Sequence, residues 1–340
     1  MAAIEWLADS RARAGAADVA DPADAADAAG AGLEHALSLA AQQQRPLFLY
    51  WGARWCPPCN RVKAEIFASA EVQRRLSQVL AYQLDGDSAG AQALAARLRL
   101  RSYPTLVLFA PDGGEITRLP CELDGEGFAA AFDAALSVWR AGSSAASALQ
   151  AAQSGVRALS ADEWTLLSHY CWDTDEGALL RGADEAVVLQ TLHQRAAAQA
   201  AQPVQVAQPG QVPAEAAQAA QAASPAGAIS DAAARLGLFA QLAAAGRQGA
   251  QPDGTTFPDA ASKANDLLSL FTDARLARAN MDMLVNSAIN LIKFATRREE
   301  LVAALSRQAA AWADDFWMNA IDRLLALRLQ MRLARLVAPA

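Results

Sequence analysis

The chain has 340 residues, a formal net charge of −7 at pH 7 and 53% hydrophobic residues. This length exceeds that of one ordinary domain, and we expect two folded units. The acidic balance argues against general nucleic-acid binding, because a protein that binds the phosphate backbone needs a basic surface. The amino-terminal residues contain no apolar signal-peptide core, and no later stretch is long and apolar enough for a transmembrane helix. The pattern therefore predicts no export signal, no membrane insertion and a cytoplasmic location.

The segment 33–140 alternates helical and strand patterns after an Ala-rich and Asp-rich lead-in, residues 1–32, that offers no apolar stripe. Near its end, Pro111-Asp112-Gly113-Gly114 is a turn signal between two apolar runs and predicts an antiparallel hairpin. One mixed sheet flanked by helices, an α/β fold, satisfies this order of elements. The predicted strands are 47–51, 81–84, 106–110 and 115–119, and the predicted helices include 33–43, 59–66, 72–79, 94–98 and 128–139.

Three further segments follow this α/β unit. Residues 141–195 have the spacing of a helical extension with several aromatic side chains. Residues 196–228 consist almost entirely of Ala, Gln and Pro, which cannot form a packed core and indicate a linker. The pattern is helical again over 229–340, where we expect an all-α C-terminal domain.

The most informative motif is Trp55-Cys56-Pro57-Pro58-Cys59, which lies between the strand 47–51 and a helix. A thiol at the start of a helix is close to unpaired N–H groups and to the positive end of the helix dipole, which favour the thiolate. We therefore expect Cys56 to be the nucleophile. Cys59 lies one helical turn later on the same face, where it can form a disulfide with Cys56 and release a captured substrate.

Three interpretations of this pair compete: a thiol redox centre, half of a zinc site, or an inert buried pair. The chain has only four cysteines, and a zinc site would need two more ligands, of which only His169 and Cys171 stand close together. The order of strand, cysteine pair and helix favours the redox centre, which needs no metal ion and no organic cofactor. We expect Cys121 and Cys171 to be free structural cysteines.

The cysteine motif, together with Pro104 in a Tyr-Pro-Thr sequence before a strand, resembles the thioredoxin superfamily over about residues 33–139. The stretch is most similar to the thioredoxin-like domains of thiol:disulfide interchange proteins. The resemblance implies a thioredoxin-like sheet, a cis peptide bond before Pro104, and a Tyr103 backbone that pairs with an extended substrate peptide. Trp55 would add an apolar docking surface, which makes Trp55, Tyr103 and Pro104 the predicted substrate-binding residues. Without the resemblance, the Tyr-Pro-Thr sequence also fits an ordinary loop that enters a strand.

One position departs from that family. Thioredoxins usually carry a buried aspartate six residues before the first active-site cysteine, where it helps to move the proton of the second thiol, and this chain has Tyr50 there. Water, the Tyr50 hydroxyl and Glu65 are candidates for that task, and we expect Tyr50 to be a simple core residue.

We therefore predict a protein thiol:disulfide oxidoreductase that reduces protein disulfides through a Cys56/Cys59 cycle. Its electrons would come from a reductase or another dithiol protein. The alternative is a redox-regulated adaptor or client-binding protein, in which the helical C-terminal region recognises a protein partner. Turnover on a protein disulfide distinguishes the two functions.

Overall fold

The chain divides into two compact units, Met1–Ala183 and Asp184–Ala340. Their boundary lies inside the stretch 141–195 that the sequence pattern assigns to one helical extension. The computed structural model describes residues 4–7, 22–88, 90–119, 123, 125–172, 177–202, 224–248, 292, 297–314 and 330–331.

A five-stranded mixed sheet, in the order β1-β3-β2-β4-β5, forms the centre of the first unit. The strands are Trp6–Leu7 (β1), Leu47–Gly52 (β2), Leu80–Asp85 (β3), Thr105–Phe109 (β4) and Glu115–Leu119 (β5). β1, β3 and β2 run parallel to one another, whereas β4 is antiparallel to both β2 and β5. The predicted mixed sheet with its closing hairpin is confirmed.

The helices of the first unit are Pro22–Gln43 (α1), Pro57–Arg61 (α2), Ala70–Leu76 (α3), Ala91–Leu98 (α4), Gly125–Arg140 (α5), Ala145–Ser154 (α6) and Ala161–Ser168 (α7). A π-helical turn, Val62–Ile66, continues α2. The sequence predicts one regular helix over 59–66, but the Phe67 N–H bonds to the carbonyl of Val62, five residues back, at 2.9 Å. The spacing of hydrophobic residues does not distinguish an α-helical turn from a π-helical turn.

The strand β2 is buried on both sides, and its side chains alternate between the two faces of the sheet. Leu47, Leu49 and Trp51 pack in a core with apolar residues of α1 and α4. Phe48 and Tyr50 point to the other face, into an aromatic cluster. The rings of that cluster around Phe48 and Tyr50 are Trp6, Phe67, Phe128 and Phe132.

The sequence pattern does not predict β1, because residues 1–32 were expected only as a lead-in. Trp6 and Leu7 pair in parallel with Ala81 and Tyr82 at the edge of the sheet. Two residues are too few to give a periodic signal. The Trp6 ring lies 5.9 Å from the Tyr50 ring and covers the aromatic cluster.

The helices α6 and α7 belong to the first unit, where α7 packs against α5. A capping box starts α7: Ser160 Oγ accepts the Glu163 N–H at 3.1 Å, and the Glu163 carboxylate accepts the Ser160 N–H at 3.0 Å. Arg157 and Ser143 also donate to this buried carboxylate. The hydrogen bonds from Arg157 are the largest cause that lowers the pKa of Glu163, to about 2.

The second unit is helical in its described part, which confirms the predicted helical C-terminal region. Its helices are Glu185–Ala200 (α8), Pro225–Gln248 (α9) and Arg298–Asp314 (α10). α8 and α9 pack together, and His193 Nδ1 lies 2.8 Å from the Ala233 carbonyl oxygen. Most of the predicted linker and most of the predicted domain 229–340 lie outside the described residues. Among the helices described, none is long and apolar enough to span a bilayer.

Candidate active site

The two thiols of the motif lie where β2 passes into α2. Cys56 is the N-cap residue of α2, with extended backbone angles, and its Sγ accepts a hydrogen bond from the Cys59 N–H at 3.2 Å. Pro57 and Pro58 occupy the first two helical positions and have no N–H group to leave unpaired. The first available N–H group of the helix is therefore that of Cys59, and it points at the Cys56 sulfur. Both cysteines are free thiols.

Burial controls the protonation of Cys56. Its residue surface is only 3% exposed, and Cys59 is completely buried. Desolvation raises the pKa of Cys56 to about 11, and the Cys59 thiol acts in the same direction, while the hydrogen bond from the Cys59 N–H lowers it. Burial of Cys56 therefore opposes the thiolate that the helix start favours. The Cys56 proton has to leave when a substrate arrives.

The Tyr-Pro-Thr segment lies directly beside Cys56. The Tyr103–Pro104 peptide bond is cis, as the resemblance implies. Cys56 Sγ donates a hydrogen bond to the Tyr103 carbonyl oxygen at 3.6 Å. The Tyr103 hydroxyl accepts a hydrogen bond from Gln92 at 2.8 Å, and its ring packs where a side chain on Gly86 would stand. The structure therefore brings Tyr103 and Pro104 to the nucleophile, and their contact with substrate stays a prediction.

Trp55 is the exposed aromatic residue of the site. Its surface is 67% exposed, its Nε1 donates to Asp87 Oδ2 at 2.6 Å, and its ring lies 5.9 Å from that of Tyr103. An exposed indole next to a reactive group is typical of a docking surface. By contrast, Trp51 is a buried core residue. The docking role of Trp55 stays a prediction.

Tyr50 lies in the core and also beside Cys59. A Cβ atom on Gly52 would stand 2.5 Å from Tyr50 Oη and 3.2 Å from Cys59 Sγ, so both atoms border the same small space. Burial raises the pKa of the Tyr50 hydroxyl, and the neighbouring Cys59 raises it further. The prediction that Tyr50 is a core residue is correct, but it does not include the closeness of the Tyr50 hydroxyl to Cys59 Sγ. Sequence reasoning also missed Gly52, although a glycine at a strand end often marks a close approach of other groups.

The sequence also contains two other cysteines and further possible metal ligands. Cys171 is a buried thiol, and Cys121 lies outside the described residues. In the described part of the chain, no three His, Cys, Asp or Glu side chains are grouped as a metal site requires.

Comparison with known proteins points to one domain. The family described as "Thioredoxin-like domain" matches residues 33–136. Over 103 residues the chain is 31% identical to the thiol:disulfide interchange protein DsbD 1 of Pseudomonas aeruginosa, and over 81 residues it is 35% identical to DsbD of Cronobacter sakazakii. These matches cover 29% and 23% of this chain.

The matched region is a small part of those relatives. It spans 17% of the Pseudomonas protein and 14% of the Cronobacter protein. Among solved structures, a thioredoxin from Thermus thermophilus is 26% identical, with 29% of this chain and 80% of that chain covered and a TM-score of 0.28. The family match at residues 33–136 lies within the α/β domain, and the function of the whole chain is a separate question.

Proposed function

Because residues 33–136 form a thioredoxin-like domain, we propose that this protein is a thiol:disulfide oxidoreductase that reduces disulfide bonds in other proteins. One observation carries the proposal: the Cys56 thiol caps α2, accepts the Cys59 N–H at 3.2 Å and contacts the Tyr103 carbonyl at 3.6 Å. In this arrangement Cys56 would attack the substrate, and Cys59, which is completely buried, would follow from one helical turn away.

The cycle has two sulfur transfers. Cys56 loses its proton and attacks one sulfur of the substrate disulfide, which forms a mixed disulfide and releases the other substrate sulfur as a thiolate. Cys59 then loses its proton and attacks Cys56 Sγ, which closes the Cys56–Cys59 disulfide and releases the second substrate sulfur. The two released sulfurs take up two protons. The protein dithiol is oxidised by two electrons and the substrate disulfide is reduced by two.

Substrate contacts and electron supply belong to the same proposal. Trp55 is exposed at the rim and would pack against an apolar part of the substrate, while the backbone at Tyr103 and Pro104 would pair with an extended peptide. A reductase or another dithiol protein would return the oxidised pair to the dithiol. A reducing compartment favours this direction, and the cytoplasmic location stays a prediction that fractionation of the source cells tests.

Turnover on a protein disulfide tests the proposal. We expect the full chain to reduce insulin with dithiothreitol as the electron source, at a rate well above that of dithiothreitol alone. Cys56→Ser should abolish this rate, whereas Cys171→Ser removes a buried cysteine outside the site and should leave it unchanged. A Cys56→Ser variant as active as the native chain would refute the assignment.

The adaptor function gives a different result in the same assay. An adaptor would interconvert between dithiol and disulfide without turnover, and its helical C-terminal region would hold one partner stably. The partner of that region stays a prediction. Redox cycling of Cys56 and Cys59 without insulin reduction would favour the adaptor over the enzyme.

A further inference from the structure

We propose that the Tyr50 hydroxyl stabilises the Cys59 thiolate by donating a hydrogen bond to it during the disulfide exchange. This inference rests on the proposed function and assigns a role to a side chain that sequence reasoning treats as core packing. In this role Tyr50 is a donor to the resolving sulfur, and it keeps its own proton throughout the cycle.

The geometry places the hydroxyl and the sulfur in one closed space. Tyr50 is fully buried, and its Oη and Cys59 Sγ both lie within 3.2 Å of the point where a Gly52 Cβ would stand. Within the part of the chain that the structure describes, Tyr50 Oη has no hydrogen-bond partner of ordinary geometry. A buried hydroxyl without a partner costs free energy, and such a group often marks a functional position. Here the group that would satisfy it is the sulfur next to it.

The neighbouring side chains fix the ring and keep the site dry. The Tyr50 ring lies 5.3 Å from that of Phe67, which meets it edge-on, and 5.9 Å from that of Trp6, which is tilted against it. Lys63 Nζ lies 5.4 Å from the Tyr50 ring centroid. These rings limit the movement of the Tyr50 hydroxyl.

Glu65, another candidate for this task, already has a charged partner. The Glu65 carboxylate is paired with Arg61 at 3.3 Å, on the same helical segment. Tyr50 is also a poor base, since burial and the neighbouring Cys59 raise the pKa of its hydroxyl, which keeps it protonated and able to donate. Tyr50 therefore stabilises the charge that Cys59 acquires and does not remove the Cys59 proton.

A donor at this place acts in both directions of the reaction. When Cys59 attacks the mixed disulfide at Cys56, it gives up its proton, and the departing substrate thiolate takes up one proton, so the step is balanced. When a thiolate attacks Cys56 in the oxidised pair, Cys59 leaves as a buried thiolate. In each case the negative charge at Cys59 Sγ needs a donor, because a buried unpaired charge is costly.

The test follows the two exchange steps separately with the aromatic disulfide 5,5′-dithiobis(2-nitrobenzoate). Attack by Cys56 releases one coloured thiolate, and resolution by Cys59 releases a second. In Tyr50→Phe we expect the first release to keep its rate and the second to slow by about tenfold to a hundredfold, the range for a hydrogen bond to a charged group. Tyr82→Phe, which removes another buried tyrosine hydroxyl from the opposite face of the sheet, should change neither step.

Stability provides the readout that separates this role from packing. Because the Tyr50 hydroxyl has no ordinary partner, Tyr50→Phe should leave the melting temperature unchanged or higher, and a structural hydroxyl would lower it. An unchanged second step in Tyr50→Phe would overturn the inference while leaving the proposed function intact. If the native chain itself released no second thiolate, the proposed function would fail instead.

Discussion

Cys56 Sγ donates a hydrogen bond to the carbonyl oxygen of Tyr103 at 3.6 Å while it accepts one from the Cys59 N–H at 3.2 Å. The carbonyl stabilises the protonated thiol, whereas the N–H group stabilises the thiolate. Burial is the larger influence and raises the pKa of Cys56 to about 11. The resting dithiol is therefore held as two thiols, and reactivity depends on how readily Cys56 gives up its proton.

The pH dependence of Cys56 alkylation tests this protonation state directly. With a pKa near 11, the thiolate fraction is small at neutral pH and grows about tenfold with each pH unit. We expect the rate of Cys56 modification by iodoacetamide, followed by peptide mapping, to keep rising from pH 6 to pH 10. A plateau between pH 6 and pH 8 would show a lowered pKa and contradict this prediction. Glutathione in parallel controls for the reagent.

Gly52→Ala tests the close approach of Tyr50 and Cys59. The new Cβ would stand 2.5 Å from Tyr50 Oη and 3.2 Å from Cys59 Sγ, and the buried tyrosine ring has little room to move away. We expect a loss of about 1–3 kcal/mol in the free energy of unfolding, together with slower resolution by Cys59. Urea unfolding measures the first effect.

Gly125→Ala is the matched control for that substitution. A Cβ on Gly125 meets no atom within 4 Å, and the residue lies at the start of α5. The control should change stability by less than about 1 kcal/mol, in the stabilising direction. Equal effects of the two substitutions would mean that Gly52 has no special role beside the thiols.

Trp55→Ala tests the docking surface. Because Trp55 is 67% exposed, we expect stability to change by less than about 0.5 kcal/mol. The KM for insulin should rise severalfold, since a protein substrate loses an apolar contact, while the reaction with a small aromatic disulfide keeps its rate. Val156→Ala, at an exposed side chain outside the site, should change neither value. An unchanged KM for insulin in Trp55→Ala would remove Trp55 from the substrate-binding residues.

Glu163→Gln tests the buried carboxylate that caps α7. The folded-state pKa of Glu163 is lowered from 4.5 to about 2, chiefly by Arg157, so its contribution to stability is present above pH 4.5 and is lost as the pH falls towards 2. We expect Glu163→Gln to cost about 2 kcal/mol at pH 7 and progressively less below pH 4 in urea unfolding. Glu34→Gln, at an exposed pair with Arg97, should cost little at either pH. A pH-independent loss in Glu163→Gln would exclude the charge as its cause.

Local sequence patterns were sufficient to predict the α/β domain and the position of the two thiols in it. The apolar run before the cysteine motif predicts β2, and the turn signal at Pro111 predicts the hairpin of β4 and β5. The position of Cys56 at the start of a helix follows from these local features. They act over a few residues, which is the range in which sequence reasoning is reliable.

The remaining features depend on contacts between distant residues. The strand β1 is two residues long and forms because Trp6 can cover the aromatic face. The raised pKa of Cys56 is set by the packing around it, which opposes the helix start that the sequence reveals. The proximity of Tyr50 to Cys59 requires the strand and the following helix to meet over Gly52, and no residue spacing encodes that distance.

Trapping the mixed disulfide is the most direct test of the central claim, that Cys56 attacks a protein disulfide and Cys59 resolves it. Cys59→Ser, incubated with insulin, should accumulate an adduct that joins an insulin sulfur to Cys56, visible on a non-reducing gel and mapped by mass spectrometry. The double variant Cys56→Ser/Cys59→Ser should form none. If Cys59→Ser forms no adduct at Cys56, or forms one only at Cys171, the account is contradicted.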